Sequence, residues 1–161
     1  MSVTKCFEMN SILEVYLPIQ LLHDKFIEYQ STSIFQKGII VENLACLWAR
    51  QKYGDEAKWI LDKFAPFDLF LMGEFIDFKS TTKPMYAVPN VHRALRFVEN
   101  TDQKFKYVLL DIECWDLEAG KVNLRVHHIL NYSATGFEGE VVINGGVKKI
   151  IKQKKKDVRY V

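Results

Sequence analysis

The stretch Pro66–Thr81, "PFDLFLMGEFIDFKST", decides how the chain is read. Two apolar runs flank Gly73-Glu74, the pattern of two strands joined by a tight turn with glycine at its first central position. Polar residues interrupt both runs: Asp68 in the first, Asp77 and Lys79 in the second. Side chains alternate across a strand, so register fixes what meets what. With Gly73-Glu74 as the loop, Met72 lies opposite Phe75, Phe70 opposite Asp77 and Asp68 opposite Lys79, all six on one face. Asp68 is then diagonal to Asp77, close enough for both carboxylates to reach one small ion. Leu69, Leu71, Ile76 and Phe78 line the other face and are expected to pack inward.

Two readings of the acid face stand side by side. One is a solvated sheet surface with an Asp68–Lys79 cross-strand ion pair. The other is a cation site, because carboxylates among aromatic residues carry a desolvation cost that a divalent ion offsets. Mg²⁺ suits such a site, since it takes one or two carboxylates together with waters and substrate phosphate. Lys79 would then hold a scissile phosphate or assist an attacking water.

Upstream, Ser33 with Gln36 three residues later resembles a capping box, and Gly54 is a helix stop, so a long helix is expected between them. It places Ile40, Leu44, Leu47 and Trp48 on one face. Glu42 lies nearly opposite, on a stripe with Ala45, Cys46 and Ala49. A helix apolar on two sides sits between layers, where a glutamate needs a partner or must snorkel to solvent. A metal shared with the two aspartates would supply the partner.

Around this core, residues 11–30 have mostly helical apolar spacing, with Pro18 in a first turn. "AKWILDKF", "FDLFLM" and "EFIDFKS" read as three strands and "PNVHRALRFVEN" as a short helix. "FKYVLLDIECWD" and "KVNLRVHHILNY" read as strands joined by a turn at Glu118-Ala119-Gly120, and Asn144-Gly145 marks a last hairpin. The expected class is α/β (α+β): one domain over 1–161, with N-terminal helices at 11–30 and C-terminal strands and a basic tail at 121–161.

With these elements placed, the chain resembles the PD-(D/E)xK nuclease superfamily of restriction endonucleases and Holliday-junction resolvases. The matching residues are Glu42 in "KGIIVENLA", Asp68 in "PFD" and the D-x-K element Asp77-Phe78-Lys79; Phe67 separates Pro66 from Asp68, so the literal P-D pair is absent. The order helix, three strands, helix, strand matches the family core over about residues 33–113. The resemblance implies a restriction-endonuclease-like core, a mixed sheet flanked by helices, with the C-terminal β-hairpin appended. It implies Mg²⁺-dependent phosphodiester hydrolysis of DNA, with Mn²⁺ able to substitute. Asp68 and Asp77 would be metal ligands, Glu42 an outer or second-metal ligand, and Lys79 the residue that orients or activates water. A non-catalytic nucleic-acid-binding or assembly protein on the same fold is the alternative.

Candidate DNA contacts surround the proposed site. Ser80, Thr81, Lys83 and Tyr86 follow the D-x-K strand, and His92, Arg93 and Arg96 share sides of the next helix. Residues 147–161 hold seven cations, including Lys148, Lys149 and Lys152, against the single acid Asp157, although the whole chain is only +2. That segment either meets phosphates or is a solvated tail. His127 and His128 lack a later histidine to complete an HNH-type site, and adjacent strand positions face opposite ways.

The 161 residues suit a single core,. Cys6, Cys46 and Cys114 match neither a disulfide framework nor a zinc spacing,. With no apolar run of membrane-spanning length and no signal-peptide pattern, a cytoplasmic protein of a bacterium, archaeon or phage-infected cell is expected. A homodimer is expected because a duplex offers two strands to a chain with one site.

Overall fold

In the computed structural model, which describes residues 7–60, 67–80, 104–133, 141–143 and 146–148, the chain begins with a departure from the helical spacing expected over 11–30. Ile12–Tyr16 is a strand, β1, with Leu13 and Val15 buried and Ile12, Glu14 and Tyr16 exposed. Five residues fit either period, and branched and aromatic side chains favour the extended one. Pro18 divides the segment by disfavouring helical geometry at Leu17 while starting the helix α1, Ile19–Ser31,.

The second helix, α2 (Ile34–Tyr53), has the ends its sequence prescribes. The Ser33 hydroxyl accepts the Gln36 N–H at 3.2 Å. At the other end Gly54, at φ 61°, donates its N–H to the Arg50 carbonyl,. Ile40, Val41, Leu44, Ala45, Trp48 and Ala49 are all buried, so α2 is covered over much of its circumference. Burying one such large apolar side chain contributes ~1.5–3 kcal/mol. A 3₁₀ turn, Gly54–Glu56, leads into the sheet.

Five further strands, β2 (Lys58–Trp59), β3 (Leu69–Leu71), β4 (Glu74–Ser80), β5 (Lys104–Asp116) and β6 (Lys121–Ser133), join β1 in a mixed sheet of order β1-β6-β5-β4-β3-β2. Among the described residues only β4 and β5 pair in parallel; every other neighbour is antiparallel. A parallel pair requires a crossover between its strands, and the helix expected at 89–100 lies in that interval, outside the described residues. Register shifts between Leu109 and Leu110 and between Ile112 and Cys114 bend the β5–β6 ribbon,. Two short strands, β7 (Val141–Ile143) and β8 (Gly146–Lys148), pair antiparallel with Ile143 opposite Gly146, as the Asn144-Gly145 signal requires.

One sheet face forms the main core. Leu69, Leu71, Ile76, Phe78, Val108 and Leu110 join the buried side of α2, with the Phe7 ring 5.2 Å from Trp48 and 5.7 Å from Phe78. The opposite face carries aromatic rings in series: Phe67 stacks on Phe75 at 4.9 Å, lies 5.3 Å from Phe105, and Phe105 lies 5.9 Å from Tyr107. Among the described residues the architecture is therefore α+β, a mixed six-stranded sheet with two α-helices. Among the described residues, no helix is long and apolar enough to cross a membrane.

Candidate metal and catalytic site

The β3–β4 turn sits one residue earlier than the sequence pattern suggested. Leu71 is opposite Glu74, so Met72 (φ 51°) and Gly73 (φ 81°) are the two central residues. Positive φ at both positions is the I′ geometry that matches strand twist. The expected pairings therefore change: Phe70 lies opposite Phe75, Leu69 opposite Ile76, and Met72 leaves the acid face for the turn. Moving the turn by one residue shifts cross-strand partners by two, which preserves the face of every strand residue. Asp68 consequently comes directly opposite Asp77 instead of Lys79.

Strands β3 and β4 part at this point. The Asp68 N–H donates to the Ile76 carbonyl at 2.9 Å, and the Ile60 N–H donates to the Asp68 carbonyl at 3.0 Å. Beyond that rung the Asp68 side chain replaces the missing strand, accepting the Phe78 N–H on Oδ2 at 2.9 Å. The Asp68 and Asp77 carboxyls adjoin closely enough for each to shift the other's titration. Lys79 Nζ lies 2.9 Å from Asp77 Oδ2, in place of the expected pair with Asp68. The contact is short but poorly directed, and Asp77 Oδ2 is a buried oxygen without a well-formed hydrogen bond.

Glu42 reaches the same place from α2. Its carboxylate accepts the Ser80 N–H, and a Cβ at Gly38 would lie 3.7 Å from Glu42 Oε2 and 3.8 Å from Ser80 Cβ. The turn of α2 from Gly38 to Glu42 thus abuts the end of β4. Ser80, expected as a DNA contact, is half-buried there and serves Glu42 through its backbone.

The electrostatics follow from three carboxyls facing one ammonium in a largely dry setting. Burial, then the Asp68 charge, pushes Glu42 up to about 7 against the opposing pull of Lys79 and the Ser80 N–H. Burial, then Asp68, holds Asp77 well above the usual carboxylate range. Burial raises Asp68 as well, less the help it receives from the Phe78 N–H. Burial alone would lower Lys79, but Asp77, Glu42 and Asp68 together hold it above its ordinary value, so it stays an ammonium. Cys46, one turn beyond Glu42, has its thiol pushed up by burial and then by the charges of Asp68, Glu42 and Asp77. It is a neutral wall of the site, and its place on the Glu42 stripe was its only sequence signal.

Whether this group suits a divalent cation can be judged from its donors. Among the described residues no three Asp, Glu, His or Cys side chains converge as a ready chelate. The Asp68–Asp77 pair offers two adjoining buried carboxyls, which fits an ion that takes one or two carboxylates and keeps its waters,. Glu42 stands outside that pair.

Thr81, Lys83, Tyr86, His92, Arg93, Arg96, Lys149 and Lys152 lie outside the described residues, and only the backbone of Lys148 is described, in β8. Comparison with family models, curated proteins and solved structures finds no match to this chain.

Proposed function

We propose that the chain is a metal-dependent deoxyribonuclease on a restriction-endonuclease-like core, and that Asp68, Asp77, Lys79 and Glu42 are its working residues. The observation that carries the reading is the meeting of the Asp68 and Asp77 carboxyls, with Lys79 Nζ 2.9 Å from Asp77, where β3 and β4 part. A buried acid pair beside a third acid destabilises the fold, and such groupings are concentrated at functional sites. Mg²⁺ or Mn²⁺ held by Asp68 and Asp77 would polarise a phosphate oxygen and acidify a bound water. Glu42 would orient water around the ion through its own carboxylate. Lys79, kept charged by its neighbours, would bind a phosphoryl oxygen and stabilise developing charge; it is not a free base,.

A homodimer acting on both strands of DNA in the cytoplasm completes this reading, with restriction and junction-resolving or repair roles both compatible with it. The deciding experiment incubates plasmid, linear and branched DNA with the wild-type chain and with Lys79→Ala, in Mg²⁺ and in EDTA. Cleavage only with metal, reduced at least ~100-fold in the variant, is the expected result. No metal-dependent cleavage of any of the three by the wild-type chain would remove the enzyme reading. Discrete bands from plasmid point to restriction, and preference for branches to resolution or repair.

One observation favours the non-catalytic alternative: the bond from the Phe78 N–H gives Asp68 a structural task. Asp68→Asn separates the readings, because the amide oxygen can still accept that bond. Full retention of DNA binding with no cleavage in either protein fits the alternative.

A further inference from the structure

Trp59 is 41% exposed, yet its ring is held in place. Its indole N–H donates to the Cys46 carbonyl at 3.2 Å, and the Arg50 guanidinium lies 5.0 Å from the ring centroid. Arg50 is itself fixed by an Nε–H bond to the Ala57 carbonyl at 3.0 Å. A large exposed aromatic side chain locked against a cation is pre-organised for a flat partner.

Its position relative to the acid pair follows from two connections. Through the sheet, Trp59 lies opposite Leu69 and so on the α2 side, the face opposite Asp68, while the next residue, Ile60, bonds to the Asp68 carbonyl,. Along α2, Glu42, Cys46 and Arg50 follow one another at four-residue steps on a single ridge, each step advancing ~6 Å. Trp59 is therefore about one or two steps along the helix from Glu42, a distance that neighbouring nucleotides of one strand can bridge.

We propose that Trp59 and Arg50 form a stacking platform for an unpaired DNA base on the α2 side of the site, along the helix from Glu42, so that the site's substrate is DNA carrying single-stranded or extruded nucleotides. This rests on the nuclease reading. Every base has a π-face that can stack on an indole whatever its identity, whereas a base within a duplex is already stacked on both sides. The guanidinium stiffens the platform through its cation–π contact, and its N–H groups not used by Ala57 suit the adjoining phosphate.

The test measures binding of a labelled oligothymidylate and of a duplex of equal length in EDTA, so that no cleavage is involved. Trp59→Ala is expected to weaken single-strand binding by ~5- to 100-fold while duplex binding stays within about 2-fold. Trp59→Phe, which keeps a ring, is expected to stay within about 5-fold of wild type. Equal losses on both DNAs, or no loss on either, would overturn the platform. If Trp59→Ala does not fold, tryptophan emission decides: oligothymidylate quenches the wild-type chain and not Trp59→Phe, and equal quenching in both overturns the proposal. Trp59-dependent single-strand binding without metal-dependent cleavage would defeat the nuclease reading and leave the platform. Metal-dependent cleavage without Trp59 dependence would do the reverse.

Discussion

Glu42 carries a carboxyl pushed up to about 7 from 4.5 because it is buried beside Asp68. The native state thus prefers the protonated acid more than the unfolded chain does. That preference contributes fully below about pH 4.5 and is lost as pH rises through about 7,. The loss is on the order of 3 kcal/mol, a large part of the ~5–15 kcal/mol that holds a domain together. Glu42→Gln should therefore raise the melting temperature of the metal-free protein at pH 8 by about 5–10 °C, with little gain at pH 4.5. Thermal unfolding at the two pH values checks this, and equal gains would contradict it. The choice of acids and lysine was legible from the alternation of β4, and Glu42 from its unusual stripe on α2. The direct meeting of Asp68 with Asp77 was not, because it depends on where the turn falls.

At the scale of elements, Gly73 serves equally well as the first central residue of one turn or the second of another, so sequence alone left two positions open. Long-range contacts accompany the choice: Glu74, placed in β4, meets Lys106 of β5 at 2.8 Å in a nearly dry pair. Removing one partner strands the other charge, so Lys106→Ala should cost about 3–5 kcal/mol in denaturant unfolding. Lys106→Met combined with Glu74→Leu should recover most of it. Gly38 tests a different link, between α2 and function. A Cβ there meets only ordinary contacts with Glu42 and Ser80, and its φ is not in the left-handed region. Gly38→Ala should stabilise α2 by about 0.5–1 kcal/mol; destabilisation in the same assay would show the turn of α2 against β4 to be tighter than described. The strand β1 was missed because its partner, β6, lies over a hundred residues away in sequence and no local signal reports it.

For the whole molecule, the order of the described elements, α2 followed by β2, β3 and β4 and later by β5, was legible, because caps, turns and alternation are local. The sheet order was not, because it depends on the parallel β4–β5 pairing and on β1 closing against β6. Exposed Ile34 and Phe35 at the start of α2, with Ile27 nearby in sequence on α1, give the proposed homodimer an apolar surface to use,. Sedimentation should show Ile34→Ser with Phe35→Ser shifting the chain to monomer without lowering its melting temperature; an unchanged sedimentation profile would place the dimer contact elsewhere. The central claim, that Asp68 and Asp77 hold a divalent cation, is tested most directly by calorimetric titration of Mn²⁺ into the wild-type chain, Asp77→Asn and Lys79→Ala at pH 8. Saturable binding to the wild-type chain, lost in Asp77→Asn and kept in Lys79→Ala, is predicted. No saturable binding, or the same binding in Asp77→Asn, would contradict it.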